Sequence, residues 1–294
     1  MPEQPSNLEP QFQAPGPTLH PSTSIFFGPF GMRAGWSLAI FVPLMAFFGF
    51  FLAGMTALAV SGQFKTVAAA RAAGHAFVIT ASPLFVIGQD GFMFVAVLVL
   101  CWFFAKAERR RQSVYGLGSN RITDIIPGAV TGVVVLSLLV FTLHAMHLLV
   151  FAGRALSGPS ILLYGLKWLI AFTLVGFAEE YAFRGYIQYT LMRGLYGLGE
   201  LISQKHARAI AFWLAAIIWS VAFGAVHGDN SGETVAGLTA VVAFGLTACY
   251  ILWRTGSLWW AIGLHASWDW AQSFLFGVAD SGSVSVGRLF VTHP

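Results

Sequence analysis

The chain has 294 residues, 57% of them hydrophobic and only 10% charged, with a mean hydropathy of +0.73, which excludes an ordinary soluble domain. The net charge of +4 is not the mark of a nucleic-acid binder, because the basic residues sit in short loops between apolar runs and report membrane topology instead. One membrane domain is expected, since no polar block is long enough to form a second.

Residues 1–34 hold seven of the twelve prolines and no Lys or Arg before Arg33, the composition of a disordered tail. The tail lacks the basic stretch of a secretory signal, so the first span is expected to serve as the insertion signal. Seven apolar stretches follow, at roughly 35–60, 84–105, 127–152, 160–192, 209–227, 234–253 and 257–277, each near the ~20 residues a membrane crossing needs. The fourth is too long for one straight crossing, and its part from Tyr186 to Leu195 is expected to turn along the interface or to lie in a shielded cavity. The fold class is therefore all-α, a polytopic bundle of about seven spans: N-terminal helices over 35–114, a membrane core over 115–278 and a C-terminal tail over 279–294.

Loop charges set the orientation. A cytoplasmic N-terminus puts Arg33, Lys106, Arg109, Arg110, Arg111, Arg121, Arg193, Lys205, Arg208 and Arg254 inside, against Lys65, Arg71, Arg154 and Arg288 outside, with the C-terminus external. The Lys106–Arg111 cluster reads as a topology anchor. Cys101 and Cys249, the two cysteines, fall in predicted spans and are expected to be packed free thiols, with no disulfide and no cysteine zinc site.

Ionisable residues at membrane depth need a partner or a function. Glu179, Glu180 and Arg184 follow the apolar run Ile161–Phe177 directly. Glu180 and Arg184 are four apart and share a helix face, where they neutralise each other, whereas Glu179 is turned about 100° away. Glu180 and Arg184 are thus expected to be mainly structural and Glu179 reactive. His227 closes the fifth span, with Phe223 four residues earlier and Gly224 and Gly228 allowing close helix approach. His265 and Asp269 are also four apart, so a carboxylate can orient the imidazole. Convergence of these three spans would supply a carboxylate base, two imidazoles and a further acid, a set that can activate water. His144 and His147 are read as packing residues, Lys167 as snorkelling or locally paired, and Asp90 as a group that contacts water at a helix break after Gly88.

Taken in order, Glu179-Glu180-x-x-x-Arg184, Phe223-x-x-x-His227 and His265-x-x-x-Asp269, with Trp253-Arg254-Thr255-Gly256-Ser257-Leu258-Trp259 before the third, resemble the CAAX protease and bacteriocin-processing family of intramembrane proteases, over about residues 115–275. The resemblance implies a helical bundle with a polar cavity inside the bilayer. It implies that Glu179 activates water with the help of His227, that His265 and Asp269 stabilise the oxyanion or complete a metal site, and that Glu180 and Arg184 hold the geometry. Glu179, His227 and His265 would also make an acceptable zinc shell, so a divalent metal, zinc if any, is the implied cofactor. The third motif ends in Asp where the family also uses Asn, and an ionised Asp269 is a poor oxyanion donor.

The expected function is an intramembrane endopeptidase acting on a peptide or membrane-protein substrate, prenylated in some relatives, in contact with membrane lipid and not nucleic acid. The resemblance favours a prokaryotic cytoplasmic membrane. A non-catalytic immunity or scaffold protein uses the same motifs, and a proton-coupled transporter is the third reading. No Gly-x-Ser-x-Gly or His-Glu-x-x-His is present to suggest a serine or site-2 type protease.

Overall fold

The computed structural model describes residues 25–28, 31–59, 79–228 and 233–293, with the backbone alone at 50, 52–59 and 79. Most of the Pro-rich tail, and Lys65 and Arg71 of the topology argument, lie outside the described residues. The architecture is an all-α bundle of α1 (Ala34–Ala59), α2 (Pro83–Ala107), α3 (Ile125–Ala145), α4 (Pro159–Glu180), α5 (Gln188–Ile202), α6 (Ala207–Val226), α7 (Val235–Thr255) and α8 (Leu258–Trp270). A π-helical turn over Tyr181–Ile187 joins α4 to α5, and a second, Ala271–Leu275, continues α8. Among the described residues five helical stretches, 83–107, 112–145, 159–202, 207–226 and 235–255, are long and apolar enough to cross a membrane, and the chain is a multi-pass membrane protein.

The seventh predicted span is the centre of the bundle. Leu258 and every residue from Ala261 to Ser267 are buried, as befits a helix that is apolar all round. It packs between α3 and α4. Those contacts are lined by glycine: a Cβ on Gly128 would overlap the Trp260 carbonyl, and one on Gly132 the Ser267 hydroxyl and the Leu264 carbonyl. One on Gly176 would stand 3.0 Å from the Ala266 nitrogen. Small residues let helix backbones approach where lipid supplies no hydrophobic drive for association. The start of α8 is held by the Tyr115–Gly118 segment, where the Gly116 carbonyl accepts from the Leu258 N–H at 2.9 Å and the Gly118 carbonyl from Trp259 Nε1 at 3.0 Å.

Three expectations change. The third span ends at Ala145, not 152, because the chain turns at His147 (φ 59°), a turn braced by His144 Nδ1 donating to the Leu149 carbonyl at 2.9 Å. The 160–192 stretch stays helical through the π turn to Ile202, past its expected end, and its part from Tyr186 is shielded inside the protein, the second of the two expectations for it. The reason is that Tyr186, Ile187, Gln188, Tyr189, Thr190 and Met192 are all buried, with Gln188 Nε2 donating to the Phe212 carbonyl at 3.0 Å. Nor is 279–294 a loose tail. Strand β5 (Ser283–Ser285) pairs in parallel with β3 (Ile79–Ala81), and β6 (Phe290–His293) pairs antiparallel with β4 (Val150–Arg154). A further hairpin joins β1 (Phe27–Gly28) to β2 (Gly31–Met32) before α1.

The basic cluster after α2 also does more than mark topology. Glu108 is buried, with Arg110 Nε 2.6 Å away and Arg193 Nη2 3.8 Å away. It accepts from the Ser37 hydroxyl at 2.6 Å and the Tyr186 hydroxyl at 3.1 Å. One carboxylate thereby ties α1, the end of α2, the first π turn and α5 together. A buried carboxylate of this kind persists only because its charge is matched and its lone pairs are used.

Gly132→Ala should separate α3 from α8 and cost about 1–3 kcal/mol in unfolding of the detergent-solubilised chain. Gly88→Ala, at a site with nothing within 4 Å of the added Cβ, should leave stability unchanged or slightly raised.

Candidate active site

Helix α4 delivers two carboxylates to the middle of the bundle, and their surroundings differ. Glu180 is fully buried, and its Oε1 accepts from Arg184 Nη1 at 3.0 Å and from His265 Nδ1 at 2.8 Å. Arg184 is 2% exposed, and its guanidinium lies 4.2 Å over the Phe223 ring. Glu180 and Arg184, four residues apart, thus form the ion pair expected of their shared face. The carboxylate that orients His265 through Nδ1 is Glu180, from another helix, and not Asp269 as spacing alone suggests. A carboxylate only accepts, so Nδ1 carries the hydrogen and Nε2 faces the remaining acids. Asp269 Oδ2 stands 3.4 Å from Nε2 and Glu179 Oε2 3.9 Å from it.

The π turn begins at the residue after Glu180. Such turns insert one extra residue and recur at functional sites. Here the turn buries Tyr181, Ala182, Arg184, Gly185, Tyr186 and Ile187, so the chain points both the arginine and the tyrosines inward. The Tyr181 hydroxyl bonds Gln112. Gly185 is closely packed, since a Cβ there would lie 3.0 Å from the Tyr181 ring and 3.3 Å from Leu258.

Glu179 is the open carboxylate of the pair, 32% exposed where Glu180 is at 0%. His227 terminates α6, half-buried, and its Nδ1 donates to the Phe223 carbonyl at 2.7 Å. That bond leaves Nε2 of the neutral ring as an acceptor. Among the described residues His227 reaches the cluster through Phe223, whose ring covers Arg184, and makes no ion pair with Glu179, Glu180 or Asp269. Five of the six candidate residues thus converge directly, and His227 stands one helical turn from the Arg184 cover. The metal-ligand set suggested by the resemblance, Glu179, His227 and His265, does not fit a three-ligand shell as arranged: no group of three or more His, Cys, Asp and Glu among the described residues is spaced to hold a metal ion.

Asp90 is half-buried and lies in electrostatic range of Glu179, but helix α2 runs through it without the expected break. His144 and His147 shape the turn after α3, Lys167 sits 5.4 Å over the Tyr164 ring, and Cys101 and Cys249 are free and buried.

Two features escaped the sequence reading. Ser220 and Gly245 form the bed of Arg184: a Cβ on Gly245 would lie 2.9 Å from Ser220 Oγ and 3.1 Å from Arg184 Nη2. Nothing in the sequence distinguishes Gly245 from the other glycines of these helices. Asp280 accepts from the Ser273 hydroxyl at 3.2 Å and is in electrostatic range of Asp269, His265 and Glu179. Burial pushes its carboxyl above the usual range, against Ser273 and His265, which pull it down. Its signal was the Asp280-Ser281-Gly282 turn sequence, which marks an ordered hairpin where a tail was expected.

Arg184→Ala should strip Glu180 of its counter-charge and cost about 3–5 kcal/mol of stability by thermal or denaturant unfolding. The double variant with Glu180→Gln should recover part of that loss. Gly245→Ala should be milder but act in the same direction, by displacing the guanidinium.

Comparison with protein-family models matches residues 161–271 to the family described as type II CAAX prenyl endopeptidase Rce1-like. Searches of curated proteins and of solved structures returned no match. The matched segment contains Glu179, Glu180, Arg184, His227, His265 and Asp269, and it is this part of the chain, from α4 through the first π turn to α8, that matches the Rce1-like CAAX endopeptidase family, consistent with the resemblance read from the motifs.

Proposed function

We propose that the chain is an intramembrane endopeptidase that hydrolyses a peptide bond of a membrane-associated substrate, with Glu179 as the general base. The match over 161–271 supports the reaction class. The observation that carries the residue assignment is the contrast within the acidic pair: Glu180 is committed to Arg184 and His265, while Glu179 is 32% exposed with Oε2 3.9 Å from His265 Nε2.

In this reading water is held by Glu179 and attacks the scissile carbonyl carbon as Glu179 takes its proton. The carbonyl π electrons move to oxygen, giving a tetrahedral oxyanion. His265, held through Nδ1 by Glu180, presents Nε2–H as the donor to that oxyanion when its ring carries both protons, and Asp269 sets the direction of the same nitrogen. Collapse breaks the C–N bond, and Glu179 returns the proton to the leaving amine. His227, with Nε2 as an acceptor, is the second group available to position the water. The family name points to prenylated C-terminal substrates, and the basic loops support a cytoplasmic N-terminus.

The test is release of a C-terminal tripeptide from a farnesylated peptide by the full chain in nanodiscs, followed by mass spectrometry. Glu179→Gln should slow release by about 10²- to 10⁴-fold, the usual contribution of a general base, with the unfolding temperature unchanged. Equal rates for Glu179→Gln and the wild type would overturn the assignment of Glu179, and no release by the wild type would leave the scaffold reading.

A further inference from the structure

The carbonyls at the end of a helix need partners. For α8 those partners come from residues 276–293. The Phe276 N–H donates to the Ala271 carbonyl at 2.8 Å, Val278 to Gln272 at 2.9 Å, and Leu289 to Phe274 at 2.7 Å. The Gln272 side chain returns a bond to the Ala279 carbonyl at 2.8 Å. The second π turn, which begins two residues after Asp269, is therefore specified by a strap that crosses over it.

The strap is itself pinned. Ser281 and Gly282 both have positive φ (45° and 77°), the pattern of a tight type I′ hairpin turn, and Asp280 and Ser283 exchange backbone hydrogen bonds at 2.9 and 2.8 Å across it. Beyond the turn, β5 pairs with β3, and the Val286 carbonyl accepts from Trp168 Nε1 at 3.0 Å on α4. Gly287 (φ 75°) sits against Tyr164, and a side chain there would overlap the ring. The strap is thus fixed to α4, the helix that carries Glu179 and Glu180, and to the π turn of the helix that carries His265 and Asp269. Its one acidic side chain, Asp280, turns inward. Ser273, buried in the π turn, donates to Asp280 Oδ2 at 3.2 Å, and Ser273 stands four residues after Asp269, as Asp269 stands four after His265.

We propose that Asp280 is a positioning residue of this site, acting through its hydrogen bond with Ser273 to hold the second π turn in the geometry that sets Asp269 against His265 Nε2. Asp280 and the rest of the strap lie outside the matched segment 161–271. The inference rests on the endopeptidase reading for its kinetic consequence, but the geometry it predicts is measurable without activity.

The experiment uses the full chain in nanodiscs with ¹⁵N-histidine, the His265 ring signals being assigned by their loss in His265→Gln. Asp280→Ala and Ser273→Ala should each move the His265 signals. Asp280→Asn, which keeps an oxygen acceptor for Ser273, should return them close to the wild-type positions. On the farnesylated peptide, Asp280→Ala and Ser273→Ala should lower kcat by about 10- to 100-fold, the scale of an ångström-level misplacement, with KM unchanged, and Asp280→Asn should restore most of it. Signals unmoved in Asp280→Ala and Ser273→Ala, or moved equally in Asp280→Asn, would overturn the proposal. Should Asp280→Ala fail to fold, the Ser273→Ala and Asp280→Asn pair decides alone. If the wild-type chain releases no tripeptide while the His265 signals still move as expected, the endopeptidase reading falls and the positioning role stands.

Discussion

A carboxylate with no solvent access at the depth of a membrane domain must be neutralised where it stands, and Glu180 is the group on which this chain enforces that rule. Its Oε1 receives hydrogen from Arg184 and from His265, so one atom joins the first π turn to α8. Arg184 is then committed in turn, under the Phe223 ring and over Gly245, which draws α6 and α7 into the same arrangement. Leaving any of these charges alone would cost several kcal/mol. Four helices are thus positioned by one compensation requirement, and Glu179 gains its exposure because its neighbour absorbs the available cation.

The first π turn serves the same requirement. An ordinary helix continued past Glu180 would carry its polar groups along one narrow face. The extra residue per turn widens the sector that points inward, so Arg184 meets Glu180 while Tyr181 and Tyr186 stay buried on the α2 side, bonded to Gln112 and Glu108. Glu108 repeats the logic at the end of α2, where a buried carboxylate is matched by Arg110 and Arg193. The bundle therefore contains two charge-compensated nodes among the described residues, one at the candidate site and one bracing α1, α2 and α5 behind it.

Much of this was legible in the residues themselves. Apolar run lengths located most of the helices to within a few residues, the third and fourth excepted at their C-terminal ends, because in a membrane protein span length is set by bilayer thickness rather than by subtle packing. Four-residue spacing identified the Glu180–Arg184 contact and placed Asp269 beside His265 for the same local reason. What spacing cannot report is which partner a side chain takes from another helix, so Glu180 as the orienter of His265 was hidden. His227 shows the limit from the other side: its motif marks it, but its place relative to Glu179 depends on how α6 lies against the π turn. Gly245 was silent because its meaning is the absence of a side chain, and Asp280 announced its turn but not its place, because it arrives from a hairpin paired to a strand far away in the chain.

That pairing has a consequence for how the protein is made. Strand β5 closes on β3 across about two hundred residues, and the intervening helices can enter the bilayer one after another before it does so. A nascent chain halted ahead of residue 283 would carry every residue of the acidic cluster on α4 and α8, yet without the parallel strand pair that anchors the strap across the second π turn. Assembly of the candidate site is thereby coupled to synthesis through the strap, and a chain halted ahead of it would pass through the membrane insertion machinery with that site still unassembled.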